Sequence, residues 1–486
     1  MYPLKVCFAA SEISPFAKIG GLGDYSAGLP RFLSQKGHDV RPFMPFYDTI
    51  DTGERHFHAV DFIRDVPVRL ADETVLFTLI TAQLPNSSLD VYFIDCPRFF
   101  HRGNVYTNDR DEYLRFGFFC RAVIESCQRL GWGPDIFHCN DWHTALLPLL
   151  YQNEYKWDSL FHRSKSVLTM HNHGYGYQGL FPTHAIWKLG IKDYANLIPR
   201  EDRESDIVNF LKIGILHADA VVPVSLTYAD EIRTPELGHG LDAMLRYKGD
   251  AVTGIVNGAD YGEWDPRRDP FIPYHYSADN LEWKEENKKY LLNDVGLPYD
   301  PDAPVLGVVS RLTEQKGLDL LFECLHEILY HNNVRFIILG GGERHYENFF
   351  EAIQYEFPHK AYFYRGYNNR LSHLIQAGSD MLIVPSKYEP CGLTQIYALK
   401  YGAVPVVRKT GGLADTVQPH NHGYQNGVGF VFDHFTSVGL SWAINFAIHT
   451  FPYKHVWKPL MKRGMEQDFS WDSQGEKYLD LYRRIR

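Results

Sequence analysis

Leu4-Lys5-Val6-Cys7-Phe8-Ala9-Ala10, and after it Lys18-Ile19-Gly20-Gly21-Leu22-Gly23-Asp24, open the chain and decide its class. The apolar run reads as a strand, the glycines as a turn, and Asp24–Lys36 as a helix. A second apolar run, Val40–Pro45, completes a βαβ unit. The first loop of such a unit lies at the carboxyl end of its strand, where open α/β sheets bind ligands. The glycine cluster is not a P-loop, because Gly-Lys-Ser/Thr is missing, and it is not the spaced three-glycine dinucleotide fingerprint. A second copy, Lys409-Thr410-Gly411-Gly412-Leu413-Ala414-Asp415, again follows an apolar run. In both copies a glycine pair lets backbone N–H groups approach a ligand at the positive end of the following helix. A solvated turn explains either copy alone. Their recurrence on equivalent elements points to a ligand clasped from two sides.

Working outward, candidate strands lie at Val91–Ile94, Ile136–His138, Ser166–Met170 and Ala220–Val224, with helical patterns at Asp111–Leu130 and Asp206–His217. A polar stretch containing Trp264-Asp265-Pro266 interrupts the alternation across 254–305. It restarts at Val305–Val309 and runs through Arg335–Leu339, Ala361–Tyr364, Met381–Val384 and Ala403–Val407. Two successive strand–helix runs predict an α/β protein of two doubly wound Rossmann-like domains facing across a cleft. The expected division is 1–255, 256–458, and a segment 459–486 whose helix, Gln474–Ile485, returns to the first domain.

Composition excludes other classes. The 486 residues suit two or three domains at about 150 residues each. Apolar residues at 45% and charged residues at 22% are ordinary globular usage, which excludes disordered and collagen-like chains. With 49 basic against 59 acidic residues and no Lys/Arg-rich run, the chain lacks the footprint of a nucleic-acid binder. No apolar run approaches the ~18 residues of a membrane span, and the amino terminus is too weakly apolar for a secretory signal. Seven scattered cysteines argue against a disulfide framework. A soluble, reduced, cytoplasmic enzyme is expected.

Three further segments carry chemistry. Ser310-Arg311-Leu312-Thr313-Glu314-Gln315-Lys316-Gly317 follows a strand and holds two cations suited to a diphosphate, Arg as a bidentate fork and Lys as a point charge. On a leaving nucleoside diphosphate they stabilise charge that grows in the transition state. A pair of surface cations is the plain alternative. In Pro385-Ser386-Lys387-Tyr388-Glu389-Pro390-Cys391-Gly392-Leu393, Glu389 is placed to bond sugar hydroxyls and stabilise a positive anomeric centre, and the amides after Cys391 to hold other hydroxyls. A helix-start Glu favoured by the dipole is the alternative. The sequence shows no evident base–orienter pair for Cys391, which reads as packing. His138-Cys139-Asn140-Asp141-Trp142-His143 and His171-Asn172-His173 match no paired zinc spacing, so they read as hydrogen-bonding groups lining the cleft. His173, His420 and His422 are expected at the surface or behind the site. Asp109-Arg110-Asp111 carries only a weak metal reading.

In this order the segments resemble the glycogen synthase/starch synthase family of bacteria and plastids, retaining glucosyltransferases of the GT-B fold. The resemblance runs from Ala9-Ala10-Ser11-Glu12 and Lys18–Asp24 through Asn140-Asp141-Trp142-His143, His171-Asn172, Tyr177-Gln178-Gly179 and Thr234-Pro235-Glu236. It continues with Val256-Asn257-Gly258, Arg311 to Gly317, Glu389–Gln395, Thr410–Val417 and Asp468-Phe469-Ser470-Trp471, nearly the whole chain. It implies glucose transfer from ADP-glucose to the non-reducing 4-OH of an α-1,4-glucan such as glycogen or a maltooligosaccharide, with retention and with no metal or other cofactor. By the same resemblance, Lys18 and the Gly20 and Gly21 amides contact the donor phosphate or sugar, and Arg311 and Lys316 clamp the diphosphate. Glu389 holds the glucose ring, with the amides of Cys391, Gly392 and Leu393 on its hydroxyls. His171 bonds the sugar near the reacting centre, Asp141 lies beside donor or acceptor, and Asn257 and Thr410 join the substrate-binding set.

One departure concerns the acceptor. Where the family has His-Asn-x-x-Tyr-Gln-Gly, this chain has His171-Asn172-His173-Gly174-Tyr175-Gly176-Tyr177-Gln178-Gly179, a longer loop expected on the acceptor side. Retention of Lys18, Arg311, Lys316 and Glu389 favours an active synthase. The alternatives are a retaining transferase using UDP-glucose or another acceptor, and a glucan-binding homologue without turnover. A nicotinamide dehydrogenase is disfavoured, because no spaced fingerprint or acidic ribose partner is present.

Overall fold

Val6, Cys7, Phe8 and Ala9 are each fully buried, so the strand Lys5–Ala9 (β1) is covered on both faces, as the middle of a parallel sheet requires. The computed structural model describes residues 3–53, 55–191, 196–421 and 426–486. They form two compact units, Met1–Gly258 with Trp471–Arg486, and Ala259–Ser470. The segment expected as 459–486 thus divides at Trp471: the helix Lys454–Met465 belongs to the second unit and the helix Trp471–Ile485 to the first.

In the first unit the strands are β1, Asp39–Pro45 (β2), His58–Ala59 (β3), Val66–Arg69 (β4), Thr74–Gln83 (β5), Asp90–Asp95 (β6), Ile136–Asn140 (β7), Lys165–Met170 (β8), Leu180–Pro182 (β9), Ile207–Asn209 (β10) and Ala220–Pro223 (β11). The main sheet runs β11-β8-β7-β1-β2-β6-β5-β3, with β4 on β5. It is parallel from β11 to β6, and β5 is antiparallel to β6. The antiparallel edge was not expected. In β5 the residues Val75, Phe77, Leu79 and Ala82 are buried between more exposed ones, the pattern of a strand with one wet face. The span 206–217, expected as one helix, begins with β10 and becomes helical only at Phe210–His217. Asn209 makes the boundary, its side chain capping the Lys212 N–H at 3.0 Å. The terminal helix buries Tyr478 and Tyr482, and the Tyr482 hydroxyl lies 2.5 Å from Nδ1 of the buried His138.

In the second unit Val305–Val309 (β12), Arg335–Gly340 (β13), Ala361–Arg365 (β14), Met381–Val384 (β15), Val404–Arg408 (β16) and Phe430–Phe432 (β17) form a sheet in the order β14-β13-β12-β15-β16-β17, parallel throughout. The helices Leu320–His331 and Ser437–Thr450 cover one face through Leu321, Leu325, Leu440 and Ile444, packed with Leu306, Ile338 and Val406. Each such side chain contributes roughly 1.5–3 kcal/mol by leaving water. The interrupted span 254–305 contains the helix Glu282–Asp294.

These orders locate the places where ligands bind. β1 lies between β2 and β7, and β12 between β13 and β15. At each the chain reverses its direction of growth across the sheet, which opens a crevice at the carboxyl ends of the strands.

Candidate functional site

In the second unit the loops leaving β12 and β15 meet. Lys316 Nζ donates to Glu389 Oε2 at 2.7 Å, and Ser386 Oγ donates to the same oxygen at 2.8 Å. Glu389 is only 6% exposed, so its charge is tolerable because it is paired and hydrogen-bonded. Arg311, one residue past Ser310 on the same loop, is exposed.

The loop leaving β16 locks the arrangement from behind. The Gly412 N–H donates to the Glu389 carbonyl at 3.0 Å. A Cβ on Gly411, whose φ is +43°, would lie 1.9 Å from that carbonyl oxygen, and one on Gly412 would lie 1.9 Å from the Cys391 oxygen. Only glycine admits so close an approach of two backbones. Gln395 Nε2 donates to the carbonyls of Cys391 at 3.0 Å and Gly392 at 2.7 Å, and to Thr416 Oγ1 at 3.1 Å. Leu393 and the buried Thr410 stand at the amino ends of the helices Thr394–Lys400 and Gly411–Thr416. The structure therefore brings Lys316, Glu389, Cys391, Gly392 and Thr410 into one cluster. Cys391 is buried, as packing requires.

In the first unit the cluster lies at the carboxyl ends of β1, β7 and β8. Gly20 precedes the helix Gly21–Gln35. The N–H groups of Ile19 and Gly20 donate to Glu12 Oε2 at 2.6 and 3.1 Å, and the Tyr106 hydroxyl bonds Glu12 Oε1. Sequence reasoning gave Glu12 no role. A lone acidic residue closing an apolar strand was the available signal. The Gly20 amide expected to meet a ligand is held by this carboxyl group, whose pKa burial raises. Lys18 pairs with Asp24 at 2.7 Å.

Asp141 begins the short helix after β7 with φ at +54°, a left-handed backbone that Asp tolerates better than most residues. Its Oδ1 accepts the His171 N–H at 2.7 Å, and burial pushes its pKa up to about 7. The His171 ring stands edge-on to Tyr25 at 4.5 Å and bonds Asn140 Oδ1 through Nε2 at 3.1 Å. That oxygen only accepts, so Nε2 carries the proton, and burial lowers the ring pKa to about 3. Asn257, which closes the first unit, is buried with an Oδ1 that has no hydrogen-bond partner among the described residues.

Several expectations change. Of the two placements expected for His173 and His420, at the surface or behind the site, burial excludes the surface, and His422 lies outside the described residues. His138 does not line a site: its ring is packed on Phe8 and bonded to Tyr25, Thr169 and Tyr482. Asp109 and Asp111 pair with Arg102 at 2.9 and 2.7 Å. Among the described residues no three His, Cys, Asp or Glu side chains gather as a metal site, and no helix is long and apolar enough to cross a membrane.

Residues 5–247 match the family described as Starch synthase catalytic domain, and residues 294–458 that described as Glycosyl transferases group 1. A glycogen synthase of Desulforudis audaxviator is 40% identical over 495 residues, spanning 99% of this chain and 96% of the relative. One from Bacillus subtilis is 38% identical over 486 residues, spanning 99% and 98%. Among solved structures, the catalytic domain of starch synthase IV from Arabidopsis thaliana, bound to ADP and acarbose, has a TM-score of 0.91 at 34% identity, covering 100% of this chain and 99% of that one. A sucrose-phosphate synthase of Thermosynechococcus elongatus shares the fold alone, with a TM-score of 0.61 at 16% identity over 99% and 98% of the two chains.

Proposed function

The chain belongs to the glycogen synthase and starch synthase family of GT-B glucosyltransferases, and from that premise we propose that it moves glucose from ADP-glucose to the non-reducing 4-OH of an α-1,4-glucan with retention. The observation that carries the reading is the cluster of part-buried Lys316 with buried Glu389 and Ser386 at the switch point of the second sheet. Capture of the Arabidopsis enzyme with ADP and acarbose supports a nucleoside-diphosphate donor and a glucan acceptor. Seven buried cysteines, none in a disulfide among the described residues, support a cytoplasmic setting.

In this mechanism the bond between glucose C1 and the β-phosphate oxygen breaks, and its electron pair leaves with ADP. Lys316 and Arg311 stabilise the charge that grows there. Glu389 faces the positive charge developing at C1 and the ring oxygen. The acceptor 4-oxygen bonds C1 on the face that ADP leaves, and its proton passes to the departing phosphate. His171, neutral with its Nε2 proton on Asn140, is suited to hydrogen-bonding a sugar hydroxyl through Nδ1, and Asp141 fixes its backbone. No paired-carboxylate arrangement of a glycosidase is required.

The test is transfer of radiolabelled glucose from ADP-glucose, with UDP-glucose in parallel, onto glycogen and maltooligosaccharides. Elongation that depends on ADP-glucose is expected. Elongation from UDP-glucose alone would overturn the donor assignment. Absence of transfer from both donors by folded protein would overturn the activity.

A further inference from the structure

The segment His171–Gly179 carries two exposed aromatic side chains beside buried Asn172, His173, Gly174, Gln178 and Gly179. Tyr175 is 62% and Tyr177 39% exposed, while His173 and Gln178 are 2% and 1% exposed. Asn172 Oδ1 accepts the N–H groups of His173 at 2.8 Å and Gly174 at 3.1 Å, and the Tyr177 N–H closes the turn on the Gly174 carbonyl at 2.7 Å. His173 donates from Nε2 to the Leu237 carbonyl at 2.5 Å and accepts the Tyr228 hydroxyl at Nδ1. Gln178 donates to the carbonyls of His173 at 2.8 Å and His239 at 3.0 Å. The turn is thus fastened to 228–239 at both of its ends.

Tyr175 is oriented as well as exposed. Its ring stands edge-on to His239, 5.1 Å between centroids at 83°, and His239 stands edge-on to the buried His173 at 5.0 Å. His239 holds φ at +47°, an uncommon backbone for a non-glycine residue. A Cβ on Gly176 would meet nothing within 4 Å, so the space beside the tyrosine is open. A large ring gains nothing for folding by standing in water on a fastened frame. A fixed, exposed aromatic face suits the apolar C–H face of a pyranose, with hydroxyls left to solvent and to His239.

We propose that Tyr175, set by His239, is a stacking platform for an internal glucosyl unit of the acceptor chain, and so determines which acceptor lengths are used well. This rests on the reading of the protein as a glucan-elongating transferase. Tyr175 lies four residues beyond His171, on the loop that leaves β8 at the carboxyl edge of the sheet.

The full chain is compared with Tyr175→Ala and Tyr175→Phe, using saturating ADP-glucose and maltooligosaccharides of two to seven units. Tyr175→Ala is expected to raise KM for maltoheptaose about tenfold, with kcat and the KM for ADP-glucose held within about twofold and the shortest acceptor little affected. Tyr175→Phe, which keeps the ring, is expected to restore KM. Equal KM values at every length in Tyr175→Ala would overturn the proposal. So would a Phe variant as impaired as the Ala variant, or a joint fall in kcat and donor affinity. Calorimetric titration of maltoheptaose without donor separates this from the activity. Weaker binding to Tyr175→Ala supports the platform even if no transfer occurs, and equal binding removes it.

Discussion

Lys316 Nζ lies 2.7 Å from Glu389 Oε2, and this ion pair, with that of Lys387 and Glu314 at 2.6 Å, joins the loops from two neighbouring strands of the second sheet. Under the proposed function a group assigned to the phosphate is held against a group assigned to the sugar, so donor binding and transition-state stabilisation would share a part. We predict that Glu389→Ala lowers kcat by at least about 10²-fold, the scale of losing one electrostatic contact in a transition state. It also leaves the part-buried ammonium without its acceptor, so unfolding free energy should fall by about 1–3 kcal/mol. Steady-state kinetics and denaturant titration read the two effects separately. Near-normal kcat in a folded variant would remove the assigned role.

The glycines behind that loop give a second prediction. A Cβ at Gly411 or Gly412 would lie 1.9 Å from a carbonyl oxygen of the Glu389–Cys391 loop, and a backbone atom has no rotamer by which to yield. Gly412→Ala should therefore move the loop, lowering kcat/KM about tenfold or more and stability by about 1–3 kcal/mol. Gly20→Ala meets nothing within 4 Å and serves as the contrast, with little loss of stability expected. Equal thermal midpoints for Gly412→Ala and the parent would sink the argument.

Asp141 combines a strained backbone with a buried hydrogen bond, and two substitutions separate them. Asn keeps an Oδ1 acceptor for the His171 N–H and tolerates the left-handed φ, whereas Ala does neither. We predict that Asp141→Ala costs about 1–3 kcal/mol and Asp141→Asn much less, measured by denaturant unfolding. If Asn proves as destabilising as Ala, the carboxylate itself and not its geometry is what the site needs.

The sheets were legible because parallel strands buried on both faces leave unbroken apolar runs, as at Lys5–Ala9 and Val305–Val309. The antiparallel edge was not, because β5 alternates with exposed residues and is completed only by pairing with β6. Charged residues after strands singled out Lys316 and Glu389 separately, and only the structure shows that the two meet in one cluster. Glu12 was invisible as a latch: its partners Ile19, Gly20 and Tyr106 lie up to 94 residues away, and no local pattern predicts their convergence. Residue type left His173 and His420 open between the surface and a place behind the site, and packing against Tyr228 and Phe430, which no local pattern shows, removes them from the surface.

The first unit carries its own sensitivity to acid. Burial holds His138 well below its ordinary pKa of 6.5, His143 and His171 near 3, and His173 near 4. The unfolded chain takes up these protons as pH falls below about 6.5 and the folded chain does not, so folding stability is lost on acidification. Asp141, raised to about 7, and Glu12, also raised, act in the opposite sense, since the folded state gains their protons first. Burial also lowers His38 and His217 and raises Asp95; six imidazoles outweigh three carboxyls, and the thermal midpoint should therefore fall from about pH 7 to about pH 5. His143 isolates one contribution. Its ring lies 4.9 Å from Tyr106 and 4.6 Å from Phe116, and its Nδ1 has no hydrogen-bond partner among the described residues. His143→Phe keeps the ring packing and removes the proton uptake, so its midpoint should depend less steeply on pH than the parent's. A parent midpoint that is highest near pH 5, or an unchanged slope in His143→Phe, would show that the buried imidazoles do not set the acid limit.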